Sequence, residues 1–280
     1  MCAAINTSEL RRLPPEPITS RRNPLVARFR ALHQARGRRE QGLLLLEGTH
    51  LLQELLRLKL QPQQVLATAA WLERHPELAS ALIQPVQPVG EAVLEAVATT
   101  EAPDGVVMSL AVSALPQASG SAGFVLALDQ LQDPGNLGTL LRTALAAGVE
   151  QVWQAAGADP HQPKVLRASA GAALALPVAR EPDRQALLQR LERARAAGQQ
   201  LVATVVEPSA QPYWQLDWTR PTVLLLGNEG AGLHPELEAL ASHRVTIPHS
   251  SAVESLNVAV AAGPLLLERW RQAHSGSQGA

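Results

Sequence analysis

From Gly42 onward the chain alternates between short, largely apolar runs and longer stretches whose apolar residues recur every three or four positions. The first pattern fits a buried strand and the second an amphipathic helix. GLLLLEG, QQVLATA, PVQPV and GVVMSLAV read as strands, with THLLQELLRLK, PELASALI and EAVLEAVATT as helices between them and Thr49 as an N-cap. This series predicts a small α/β domain over residues 25–115. AVSALPQASGSAG is small, polar and rich in Gly and Ser, so residues 116–122 read as a linker. A second series fills residues 123–274, with FVLALD, VEQVWQAA, QLVATVV, TVLLLG and RVTIP as strands. GNLGTLLRTALAAG, PKVLRASAGAALA, DRQALLQRLERARAAG and ESLNVAVAAGPLLLERWRQA read as its helices, the first closing at Gly148. Such alternation predicts an α/β fold with a mostly parallel sheet covered on both faces. Residues 1–24 lack any period and are expected to form a mobile basic arm, and residues 275–280 a tail. After Pro24, Leu25, Phe29, Leu32 and Ala35 recur at helical spacing, which leaves Arg28, Arg36 and Arg39 on other faces of one basic helix.

Composition narrows the class. Of 280 residues, 46% are hydrophobic and 18% charged, and no apolar run approaches the length a membrane-spanning helix needs, about 18–20 residues. Fibrous, largely disordered and transmembrane classes are excluded. The single cysteine, Cys2, excludes an intramolecular disulfide framework and a cysteine-clustered zinc site. The start, MCAAINTSELRR, has no apolar signal region, so a cytoplasmic location is expected.

The net charge of −1 hides an uneven distribution. Residues 1–40 hold nine arginines against Glu9, Glu16 and Glu40, a balance of +6 that leaves −7 for the other 240 residues. Only Lys59 and Lys164 among the 24 basic residues are lysines, and arginine grips phosphate through a planar fork. A base bias in the genome accounts for arginine excess equally well. The eight aromatic residues are too few and too scattered to form a platform for stacked bases.

The common nucleotide and hydrolase signatures are absent: there is no G-x-G-x-x-G, no G-x-x-x-x-G-K-[ST], no H-E-x-x-H and no G-x-S-x-G. The eight histidines have no metal-ligand spacing, so no metal is expected. Three polar islands remain, each directly after a predicted strand, where ligands of α/β proteins bind. They are LDQLQDPGNLGTLLRTALAAG with Asn136 and Arg142, LLLGNEGAGLHPEL with Glu229 and three glycines, and IPHSSAVESLNVAVAAG with Ser255 and Asn257. Taken singly, each also reads as local structure: Asn136 or Ser255 as a helix cap, Gly230 to Gly232 as a tight turn.

Together the islands resemble the SpoU, or TrmH, family of RNA ribose 2′-O-methyltransferases in the SPOUT superfamily. DPGNLGTLLRTALAAGV, GNEGAGL and IP followed by ESLNVAVA match its three motifs in order, PKVLRASAGAALALPV is similar between them, and the match spans roughly residues 123–272. The amino-terminal half resembles the family's accessory substrate-binding domain through EQGLLLLEGTHLLQELL. The resemblance implies a deep trefoil knot whose wall holds S-adenosylmethionine. It places cofactor contacts on Gly227, Ile247 and Leu256, with Asn228, Glu229 and Gly230 lining the same loop. It assigns activation of the ribose hydroxyl to Arg142, with Asn136, Glu229, Ser255 and Asn257 around it. A guanidinium does not give up its proton at ordinary pH, so stabilising developing alkoxide charge or fixing a phosphate is the other role open to Arg142.

The resemblance further implies a homodimer that binds RNA, with Arg28, Arg36, Arg38 and Arg39 as phosphate contacts. Ribosomal RNA of the large subunit is the expected substrate, with transfer RNA or a catalytically idle RNA-binding protein as alternatives. Two departures stand out. Gly263-Pro264 is expected to interrupt the terminal helix, and His249-Ser250-Ser251 replaces a Met-containing segment, which leaves His249 as either a solvent-exposed loop residue or a contact to cofactor or substrate.

Overall fold

The computed structural model describes residues 15–207 and 209–275, and the chain divides into two units, Met1–Ala114 and Leu115–Ala280. The first unit contains α1 (Pro24–Ala31), α2 (Ala35–Gln41), β1 (Leu43–Glu47), α3 (Thr49–Arg57), β2 (Gln64–Ala67) and α4 (Ala69–Arg74). It continues through α5 (Pro76–Ser80), β3 (Gln87–Pro88), α6 (Glu91–Val97) and β4 (Val106–Ala111). Its four-stranded sheet has the order β1-β4-β2-β3, with β4 antiparallel to both neighbours. Val26, Phe29 and Leu32 of the first helical segment pack with Leu45, Leu66, Val93, Leu94 and Val107 in one buried cluster.

The single basic helix expected over residues 25–40 is two helices. Arg38 explains the break: it is only 5% exposed, and its Nη1 donates to the carbonyls of Leu32 at 2.9 Å and His33 at 3.0 Å. Those carbonyls lie just past α1, where no intrahelical donor remains. Gly37 allows the close approach, because a Cβ there would overlap the Ala31 carbonyl. Arg38 is therefore a structural cation and not the phosphate contact expected from sequence. Arg36 pairs with Glu40 at 2.6 Å on the surface, while Arg28 and Arg39 are exposed.

Two other expectations change in this unit. Residues 1–14 lie outside the described residues, but the rest of the expected arm is tied down: Ile18 bridges to Val89, with Ile18 N–H donating to Pro88 at 3.0 Å. Thr49 is the first residue of α3 rather than its cap; its N–H donates to Asp104 at 2.7 Å and its hydroxyl accepts from Trp71 Nε1 at 2.8 Å.

The second unit contains β5 (Phe124–Asp129), α7 (Pro134–Ala146), β6 (Gln151–Ala155), α8 (Pro163–Ala168), α9 (Ala172–Ala175), β7 (Val178–Glu181) and α10 (Arg184–Ala196). Then follow β8 (Gln200–Thr204), β9 (Gln211–Pro212), β10 (Thr222–Leu226), α11 (Pro235–Leu240), β11 (His243–Thr246) and α12 (Val258–Ser275). All pairings in its seven-stranded sheet, β7-β6-β5-β10-β8-β11-β9, are parallel. β5, β6 and β10 are buried at every position, as a parallel sheet covered on both faces requires. The chain runs β5 to β7 toward one edge, then crosses and inserts β10 between β5 and β8. That reversal puts the carboxyl ends of β5 and β10 side by side, with Leu128 opposite Leu226. Crevices at such switch points are where open α/β sheets bind ligands.

Gly148, at φ +74°, follows the end of α7 as expected, and a Cβ there would press on the Trp270 ring. Gly263-Pro264 does not interrupt α12, which is continuous with Pro264 inside it. The proline removes the donor for the Val260 carbonyl, one backbone bond among the many that hold this 18-residue helix. Among the described residues no helix is long and apolar enough to cross a membrane.

Arg38→Ala should destabilise the first unit by about 2 kcal/mol, the range for buried hydrogen bonds from a charged group. Arg39→Ala, on the exposed face, should change it by less than about 0.5 kcal/mol. Urea unfolding followed by a probe in the first unit distinguishes the two.

Candidate cofactor and catalytic site

The loop that leaves β10 is built by its own side chains. Asn228 and Gly232 exchange backbone hydrogen bonds at 2.9 and 3.0 Å, closing a turn in which Gly232 takes φ +69°. Asn228 Oδ1 accepts from the N–H groups of Gly230 and Ala231 at 2.9 and 3.1 Å, while Nδ2 donates to the Gln130 carbonyl at 3.0 Å. Gly227 has a steric requirement: a Cβ would overlap the backbone of Gly232 and Leu233.

Glu229 ties this loop to the exit of β5. Its Oε1 accepts from Asp133 N–H at 3.0 Å and Asn136 Nδ2 at 3.2 Å, and its Oε2 from Gln132 N–H at 3.1 Å. Partial burial alone would raise the Glu229 carboxyl, but the Asp133 and Gln132 amides, its own amide and Asn136 outweigh it and hold the group below the ordinary glutamate range. An ionised carboxylate with these donors is an anchor for the loop.

Asn136 is free for this contact because Asp133 does the capping, accepting from Asn136 N–H at 2.7 Å. Asn136 Oδ1 in turn accepts from Asn257 Nδ2 at 3.0 Å. Asn257 Oδ1 accepts from Ala259 and Val260 N–H at 2.9 and 3.3 Å at the start of α12. The capping role open to Asn136 and Ser255 from sequence therefore falls to Asp133 and Asn257. A continuous polar chain, Glu229–Asn136–Asn257, joins the three islands.

These segments enclose a cavity of about 620 Å³. Asn136, Gly227, Asn228, Glu229, Gly230, Ile247, Ser255, Leu256 and Asn257, all singled out in the sequence, line it. Arg142 does not: it is exposed on α7 six residues beyond Asn136, and no hydrogen bond or ion pair holds it among the described residues. Thr204 to Val206, Leu233, His249, Glu254 and Leu265 also line the cavity and were not singled out as site residues, apart from the two readings left open for His249. For Thr204 to Val206 the signal is position, since they leave β8 beside the other strand exits. His249 is both exposed and part of the lining, with Nδ1 2.7 Å from the Ile247 carbonyl. Arg28, Arg36, Arg38 and Arg39 all belong to the first unit. Among the described residues no three His, Cys, Asp or Glu side chains gather as a metal site.

The depressed Glu229 pKa sets a pH dependence. Its stabilising contribution is fully present above the ordinary value of 4.5 and is lost as pH falls through the lowered folded-state value. Wild-type protein should therefore melt above Glu229→Gln at neutral pH, and the gap should close as the pH is lowered through that window. Thermal melts over a pH series test this; a pH-independent gap would show that the charge is not what anchors the loop.

Comparison with known proteins shows the family. Residues 123–267 match the SpoU rRNA Methylase family, and residues 23–108 match the MRM3-like substrate binding domain. An uncharacterized tRNA/rRNA methyltransferase, slr1673, of Synechocystis sp. is 46% identical over 93% of this chain and 95% of its own length. The 23S rRNA (guanosine(2553)-2′-O)-methyltransferase RlmP of Bacillus subtilis is 32% identical over 89% of this chain and 97% of its own. Among solved structures, an AdoMet-bound rRNA methyltransferase from Sinorhizobium meliloti has a TM-score of 0.76 and 32% identity, covering 91% of this chain and 97% of that one. With more than half of its length in the matching model and close full-length relatives, the chain belongs to the SpoU rRNA methylase family.

Proposed function

We propose that this protein transfers the methyl group of S-adenosylmethionine to a ribose 2′-hydroxyl of RNA, with large-subunit ribosomal RNA as substrate. The observation that carries the reading is the cavity: all six positions proposed for the cofactor, from two separate sequence islands, line it together, and Asn136 of the third island lines it with them. Its volume of about 620 Å³ lies within the usual range for small-molecule sites, about 300–1,000 Å³. The lining mixes apolar side chains, such as Ile247, Leu256 and Leu265, with the polar groups of Asn136, Ser255 and Asn257. A ligand with an aromatic base, a ribose and an amino-acid tail suits that mixture. Gly230 leaves main chain accessible, since the nearest atom to a Cβ placed there is Asn228 Oδ1 at 3.7 Å.

Bound S-adenosylmethionine supplies an electrophilic methyl on a sulfonium. The chain's own residues then have separable tasks. Main-chain groups of Gly227, Ile247 and Leu256 recognise the cofactor, which is why apolar side chains serve at two of these positions. The apolar lining keeps water from the methyl. Asn136, Ser255 and Asn257 orient the incoming hydroxyl, and Glu229 fixes the loop rather than taking a proton, since its oxygens are already engaged by donors. Arg142, outside the lining and without a protein partner among the described residues, meets the RNA as a fixed cation that stabilises the developing alkoxide, so that as the O–CH3 bond forms and the S–CH3 bond breaks the hydroxyl proton passes to solvent and S-adenosylhomocysteine leaves.

The same reading includes a homodimer, a trefoil knot and a cytoplasmic location. Support for the dimer is an apolar stripe on α12, where Val260, Leu267 and Trp270 are 64%, 50% and 42% exposed. Support for the knot is that residues after β10 and after β11 wrap one cavity while α12 packs on α7. Arg28, Arg36 and Arg39, with exposed Arg21, Arg22 and Arg30, are left as the phosphate-binding surface of the first unit.

Mapping 2′-O-methyl groups in total RNA from cells with and without the gene tests the function. One large-subunit ribosomal position should lose its methyl and regain it with the wild-type chain, but not with Arg142→Ala. Loss from transfer RNA would move the substrate, and an unchanged map would contradict the activity.

A further inference from the structure

The residues leaving β5 hold the 227–233 loop at both ends, and the second anchor is formed by a pair that no sequence motif marks. Asn228 and Glu229 bind the first half of the loop to residues 130–133. Where the loop passes into α11, His234 N–H donates to Asp129 Oδ2 at 3.2 Å. Asp129 ends β5 and is 2% exposed. Arg184, the first residue of α10, places Nε 3.0 Å from Asp129 Oδ1 and 3.3 Å from Oδ2. A carboxylate removed from water requires an opposite charge and donors, and breaking such a pair from one side leaves the other charge uncompensated. Arg184 and the His234 amide fill those requirements, so the position of His234 depends on the pair.

We propose that Asp129 and Arg184 are positioning residues for S-adenosylmethionine: their ion pair anchors the exit of the 227–233 loop and thereby fixes the main-chain groups that face the cavity. The proposal rests on the reading of that cavity as the cofactor site. Neither side chain lines the cavity, but Leu233, adjacent to the anchored His234, does. Leu233 also packs against the buried cluster containing Val223, Leu225 and Leu237, so the anchor and the apolar contact act on the same point of the chain. A loop held only at its start samples conformations in which the cavity wall is not formed. The apparent affinity for cofactor then falls in proportion to the competent fraction. Held at both ends, the loop is ordered before the ligand arrives, and that ordering cost does not count against binding.

The test uses the full chain carrying Arg184→Gln or Arg184→Lys. It reads calorimetric affinity for S-adenosylmethionine and S-adenosylhomocysteine, hydrogen exchange at the His234 amide, and steady-state kinetics. Arg184→Gln should weaken both ligands by about tenfold or more. It should also speed exchange at His234, and raise the cofactor KM by a larger factor than it lowers kcat, with the RNA KM within about twofold of wild type. Arg184→Lys, which keeps a cation and a donor, should recover part of the affinity. Unchanged affinity or unchanged His234 exchange in folded Arg184→Gln would overturn the proposal. So would equal losses in both KM values with a lowered melting temperature, which would assign the pair to stability alone. Failure of the wild-type chain to bind either ligand would overturn the cofactor reading and this proposal with it. Wild-type binding that the variants leave unaltered would overturn this proposal only.

Discussion

The Glu229 carboxylate accepts hydrogen bonds from Gln132, Asp133 and Asn136, and through them couples the exits of two neighbouring strands. Parallel pairing of β5 with β10 brings those exits together, but strand pairing alone does not shape a loop. Three donors converging on one ionised group do, because displacing any of them costs the carboxylate a charge-assisted hydrogen bond. The turn closed by Asn228 and Gly232 then has one position relative to α7, and Gly227 is needed because the turn doubles back onto it.

From that fixed point the remaining wall follows. Asn136 links Glu229 to Asn257, and Asn257 caps α12, so the start of the terminal helix is set by the same chain of bonds that sets the loop. Ser255 and Leu256 lie in the non-helical stretch just before it and face the cavity for that reason. A site assembled this way has little to rearrange when a ligand arrives. Its polar groups are ordered by one another, and its apolar surface comes from strand exits and α12 packed into the core.

Much of this architecture was legible in the sequence. β5, β8 and β10 are nearly continuous apolar runs, and the three islands after strands carried the residues that line the cavity. Other features depended on tertiary partners. β7 is an edge strand, partly exposed, and its mixed residues Val178–Glu181 carry no period. β9 is two residues long, too short for any pattern. Arg38 looks like its neighbours in sequence until the ends of α1 and α2 bring it against two carbonyls, and Pro264 reads as a break because it removes a backbone bond, a loss that the remaining turns of α12 absorb. Asp129 and Arg184 lie 55 residues apart and match no local motif, so only the fold reveals the pair. Arg142 is the reverse case. Its motif marks it together with Asn136, yet the structure places it outside the cavity lining.

The central claim, that one wall formed by the exits of β8, β10 and β11 and the start of α12 holds the methyl donor, is tested most directly by a crystal structure with S-adenosylhomocysteine. The account predicts the ligand in the cavity between residues 226–233 and 245–258, with main-chain groups of Gly227, Ile247 and Leu256 within hydrogen-bond distance and Glu229 still bonded to Gln132 and Asp133. Ligand bound elsewhere on the chain, or a cavity left empty at saturating ligand, would contradict it.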